Sequence, residues 1–194
     1  MSHSCFEIKN ERTVLIDPFF IGNSLAPKYN GKPDLILVTH EHHDHSDTSR
    51  FDSTVVCPIG FKTKNSQEMA IGDKKTVEGI KIEMVASTHH QSKYPTGFVF
   101  EIEGKRFYHP GDTYLDGVKP VGPVDVFFVP IGGYFTMDLD EAIEALKIIK
   151  PKLAIPMHYN TFPQIKANPE EFKKKAIKQG FEAKVLKIGE ELEL

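Results

Sequence analysis

Seven consecutive residues, Thr39 to His45, read THEHHDH and hold four histidines, a glutamate and an aspartate. They follow LILV, an apolar run suited to a buried strand. A turn leaving a strand aims alternate side chains at one point, so His40, His42, Asp44 and His45 are the candidates for a shared task. Imidazole nitrogen and carboxylate oxygen both suit zinc and related divalent ions, at about 2.0–2.2 Å. That set is too crowded for one tetrahedral ion with room for water, so two ions fit better. Further candidate donors lie far along the chain at His89, Asp112 and His158. A single histidine in a turn reads most simply as a satisfied polar residue. A buried set of them without metal would repel itself on protonation and would cost several kcal/mol to desolvate.

These residues need elements to bring them together. Short β-type runs dominate the chain. FEIKN and TVLIDPFF suggest a hairpin turned at Asn10–Arg12, and GFVFEIEGKRFYHPGDT another turned at Glu103–Lys105. DLILVTH, STVVCP, GIKIEMVAS, DVFFVPIGG and KLAIPMHYN read as further strands, and the tail AKVLKIGEELEL as a last hairpin. A helix is expected after Asp138, which with Glu141 has capping-box spacing. A second should run from the cap Asn168, with Pro169 first and Gly180 as terminator. His40, His89, Asp112 and His158 each fall at or just after the end of a β-run, where sites are commonly built. The stretch from Ser46 to Lys81 carries no strong helical pattern, so any helical layer over the first half should be thin.

Composition narrows the function classes. The chain has 194 residues, 40% hydrophobic and 26% charged, with a formal net charge of −3, which suits one domain spanning 1–194. Nothing in that balance draws it to nucleic acid or anionic membrane, and no apolar run reaches the roughly 20 residues of a span. The lysines at 173–175 and 178 read as a solvated helix face. Cys5 and Cys57 lack the spacing of a disulfide framework or zinc knot, which favours a cytoplasmic location.

HEHHDH resembles the HxHxDH signature of the metallo-β-lactamase superfamily. SHSCFEI and LIDPF resemble its first two strands, and YHPGDT the segment that carries a bridging aspartate. PIGGYFTM and PMHYNTF resemble later motifs of the branch of small metal-dependent hydrolases similar to ascorbate-6-phosphate lactonases. The resemblance covers nearly the whole chain. It implies an α/β fold, a four-layer αβ/βα sandwich. It implies that His40, His42 and one of His89 and His90 hold a first ion, that Asp44, His45 and His158 hold a second, and that Asp112 bridges. His89 is preferred to His90 on resemblance alone. His43 and Glu41 should point away. Asp44 would also hold the nucleophile and carry its proton. Asp17 would sit behind a liganding histidine and accept its N–H. Tyr159, Asn160 and His109 are the substrate candidates, Phe135 belongs to packing, and Gly132 and Gly133 allow a tight turn. His3 falls where the family often has a Gly-His pair, but Ser2 replaces the glycine and His3 receives no role.

The expected activity is hydrolysis of an ester, lactone, amide or phosphodiester of a small molecule by hydroxide bridging two divalent ions, zinc first, with manganese, iron or nickel as alternatives. A mononuclear iron dioxygenase or a nuclease on the same fold is the alternative reading. The diiron branch usually has glutamate at the position of His42, and the nucleases usually carry an extra domain or arm for which a chain of 194 residues with a net charge of −3 leaves no room. A homo-oligomer that completes an open pocket is left open.

Overall fold

The computed structural model describes all 194 residues. Two sheets face one another. The first takes β1 (Phe6–Lys9), β2 (Thr13–Ile16), β3 (Leu35–Leu37), β4 (Thr54–Pro58) and β5 (Ser66–Met69), in that spatial order. β1 and β2 form the antiparallel hairpin, and β2 through β5 run parallel. The second sheet takes β6 (Lys74–Val77), β7 (Ile80–Ala86), β8 (Thr96–Ile102), β9 (Lys105–His109), β10 (Val126–Pro130) and β11 (Leu153–Met157). Its first three pairings are antiparallel, and β9, β10 and β11 run parallel.

Alternation along the strands builds the layers. Val14, Ile16, Leu35 and Leu37 face the second sheet and meet Phe98, Phe100, Phe128 and Ile155 in the central core. Leu15 and Ile36, one residue out of phase, face outward. On the far side of the second sheet, Val99, Tyr108, Phe127 and Val129 pack against α1 (Leu139–Ile149) and α2 (Pro169–Lys178). α1 begins with a complete capping box between Asp138 and Glu141, and the Asn168 side chain caps α2.

The outer face of the first sheet is covered by loops. Phe20, Tyr29, Phe51 and Phe61 pack over Leu15, Ile36, Val38 and Val55, and no helix precedes Leu115. A helical crossover between parallel strands needs about a dozen residues or more, and the β4–β5 link spans only residues 59–65. Where a thin helical layer was expected, loop aromatics cover this face. β5 and β6, in the stretch where the sequence showed no strong helical pattern and no strand was assigned, are strands. The expected C-terminal hairpin does not form. Its turn at Gly189 is present, but the segment makes one bridge, Ala154 to Ala183.

Strand direction defines one functional edge. The carboxyl ends of β2, β3, β7, β9, β10 and β11 and the amino ends of β1 and β8 lie on it.

Candidate metal centre

Two groups of donor side chains gather on this edge: His40, His42, His89 and Asp112, and His3, Asp44, His45 and His158. Six of the eight are buried, and His42 and Asp44 are half-buried. They arrive from the turn after β3, the loops after β7, β9 and β11, and the residues before β1. Asp112 lies between the groups. Its Oδ1 is 3.2 Å from His45 Nε2, and its Oδ2 is 3.1 Å from His158 Nε2, 3.8 Å from His89 Nε2 and 3.9 Å from His40 Nε2.

Hydrogen bonds behind the rings set which nitrogen carries the proton. The carbonyl of Gln91 is 3.1 Å from His42 Nε2, and that of Phe135 is 3.1 Å from His89 Nδ1. A carbonyl only accepts, so each of these nitrogens is the N–H. Thr39 donates its hydroxyl to Asp17 at 2.7 Å and so accepts from His40 Nδ1, 3.0 Å away. Asp17 Oδ2 lies 2.8 Å from His45 Nδ1. The opposite ring nitrogens, His40 Nε2, His42 Nδ1, His89 Nε2 and His45 Nε2, all turn inward. His42 Nδ1 sits 3.1 Å from His40 Nε2 and 3.4 Å from His89 Nε2, and three lone pairs so placed cannot satisfy one another. Nitrogens about 2.0–2.1 Å from one tetrahedral cation stand roughly 3.3 Å apart. His3 Nε2, His45 Nε2 and Asp112 Oδ1 are buried without a hydrogen-bond partner. Buried polar atoms are rarely left so, and their convergence fits divalent cations.

The electrostatics agree. Burial holds His40 well below the ordinary imidazole pKa and lowers His89. Burial, with His158 beside it, brings His3 down to about 4. These rings stay neutral, as ligands must. His45 goes the other way: burial opposes its charge, but Asp112 and Asp17 outweigh it and raise its pKa. The same spot therefore attracts positive charge.

The other sequence candidates divide. His90 is exposed and stacks on Tyr114, and His43 is exposed against Phe19. Asp17 is fully buried beneath His45 and Thr39. His109 lies against the backbone, not a cavity: it is fully buried, its Nε2 donates to the Ser4 carbonyl at 2.9 Å and its Nδ1 accepts from Gly111 N–H. No atom of that ring is left for a substrate, which corrects the expectation. Asn160 likewise spends its side chain on both backbone groups of Ala167, at 3.0 and 3.1 Å. Tyr159 is half-buried and borders a cleft of 1210 Å³ beside β1 that meets the second group only through His3 and residues 159–161.

Two residues play parts the sequence did not announce. His3 stands inside the second group. Glu41 does point away from the centre, but its carboxylate accepts the Lys93 N–H and the Ser92 hydroxyl, each at 2.7 Å. It straps down the loop that carries His89.

The profile of the beta-lactamase superfamily domain matches residues 1–158. A UPF0173 metal-dependent hydrolase from Thermoplasma volcanium is 40% identical over 99% of this chain and 96% of its own. The chain belongs to the beta-lactamase superfamily, in its UPF0173 branch of metal-dependent hydrolases. A relative from Pyrococcus abyssi is also 40% identical, over 100% of this chain and 97% of its own. Among solved structures, the metallo hydrolase Igni18 from Ignicoccus hospitalis superposes with a TM-score of 0.84 at 31% identity, covering 97% of this chain and 94% of that one. No helix of this superfamily member is long and apolar enough to cross a membrane.

Proposed function

We propose that the chain is a dinuclear hydrolase of a small ester, lactone, amide or phosphodiester, with zinc as its metal. The observation that carries this is the pair of donor groups on either side of Asp112, with ring nitrogens turned inward on both. His40, His42 and His89 would hold the first ion, Asp44, His45 and His158 the second, and Asp112 both. Two such ions, when bound, polarise a carbonyl or phosphoryl oxygen and make a water acidic enough to attack at neutral pH.

The residues do the rest. Gln91, Phe135, Thr39 and Asp17 fix the rings that face the substrate, which preserves ligand geometry through turnover. Asp44 is the half-buried carboxylate of the site, with His43 Nδ1 3.8 Å from its Oδ1 on the solvent side. In this reading it would hold the attacking water and carry its proton outward. Tyr159, half-buried at the border of the cleft beside β1, is the remaining candidate for substrate contact. Manganese, iron or nickel would suit the same nitrogen and oxygen donors.

The test is an assay of lactones, phosphodiesters and thioesters on protein of measured metal content, with His42→Ala as control. A substrate turned over by the wild type and lost in the variant supports the reading. Turnover unchanged in His42→Ala sinks it.

A further inference from the structure

We propose that His3 is a protein ligand of the second cation, which closes that position and leaves the first as the one open to substrate. The inference rests on the two-ion reading above and adds a donor to it. His3 Nε2 is wholly buried, has no hydrogen-bond partner and lies 3.3 Å from Asp44 Oδ2. The donor atoms of His3, Asp44, His45 and His158 all fall within 4.8 Å of one another. The His3 ring stands 4.1 Å from that of His158 and 5.4 Å from that of His45, centre to centre.

The far nitrogen explains the aim. His3 Nδ1 is 2.5 Å from Thr161 Oγ1, a short bond that occupies one side of the ring and turns the other toward Asp44. The His3 carbonyl accepts the N–H of His158 at 3.1 Å, so the two residues are tied through their backbones as well. The 3.3 Å approach to Asp44 lacks the alignment of a hydrogen bond, and a cation between the two groups accounts for it. Nothing in the first group corresponds to His3. His40, His42 and His89 with Asp112 make four protein donors, whereas Asp44, His45, His158 and Asp112 with His3 make five. Zinc at a working site expands to five ligands, so the first position keeps a place for substrate and the second has none.

The experiment is a stepwise titration of apo protein with zinc by calorimetry, and with cobalt(II) followed by its visible absorption. The variants are His3→Ala and Thr161→Val, the second leaving the His3 ring in place but unpinned. Wild type should take two ions, one more tightly. His3→Ala should weaken the tighter step by about 100-fold and intensify the one-equivalent cobalt spectrum, as expected when a ligand is lost. Thr161→Val should weaken that step by about tenfold, the lower end for losing a group behind a ligand. The looser step should be unchanged in both. Two variants that titrate like wild type, or a weakened step with an unaltered cobalt spectrum, overturn His3 as a ligand. Wild type that takes a single ion, with its affinity still dependent on His3, keeps this inference and defeats the two-ion reading.

Discussion

At the scale of the residue, Glu41 shows how a side chain outside the donor set can govern it. The segment from His89 to Pro95 has no regular structure and is tied down at three places. Glu41 holds Ser92 and Lys93, His42 holds the Gln91 carbonyl, and the Ser92 N–H reaches the His89 carbonyl at 3.1 Å. Glu41→Ala removes the strongest tie, since a charged acceptor with two 2.7 Å donors makes roughly twice the usual hydrogen bond. The affinity of the first position should fall by about tenfold, with the second unchanged, and Glu41→Gln should lose less. A calorimetric titration reads both steps, and equal curves for Glu41→Ala and wild type count against the strap. The gathering of the THEHHDH side chains was legible because a tight turn directly after a buried strand keeps them all at that strand's end. His3 was not. A search of strand carboxyl ends passes over a residue ahead of β1, and only the antiparallel pairing of β1 with β2 brings that end to the site.

At the scale of the element, the site depends on how closely the loops after β10 and β11 approach. A Cβ on Gly132 would stand 2.2 Å from the His158 carbonyl oxygen and 2.9 Å from Ile165 Cβ. Backbone on one side cannot yield as a side chain tip would. Gly132→Ala should therefore displace His158, weaken the second position by about tenfold or more and lower the denaturation midpoint. A variant with wild-type metal titration would show that the two loops shift together without moving the ring. The strong elements were readable from local signals, such as the Asp138 and Asn168 caps and the two hairpin turns. β5 and β6 were not, because SQEM and KKTV carry few apolar residues. Their strand state comes from pairing with β4 and β7. The tail failed for the opposite reason. Its alternation in VLKIGEELEL is spent packing Leu186 and Leu192 beside the central core, without a ladder.

At the scale of the whole molecule, the centre joins the sheets. His40, His42, Asp44 and His45 extend from the first sheet, and His89, Asp112 and His158 from the second. Without cations, the edge brings inward-facing lone pairs and two carboxylates together with little to offset their burial. A ligand that binds only the folded chain stabilises it by about 4 kcal/mol at a thousandfold excess over Kd. Chelation should therefore lower the thermal midpoint by several degrees, and zinc should restore it. The cysteines offer an internal control. Burial pushes the Cys5 thiol up to about 12 and the Cys57 thiol up to about 11, so neither should react with a thiol reagent at pH 8 while the core is closed. Cys5 follows directly on the His3 segment, whereas Cys57 lies in β4. If the cations fasten that segment, chelation should expose Cys5 before Cys57. A melting curve indifferent to chelator, with both thiols equally protected, would mean that the sheets hold this edge together unaided.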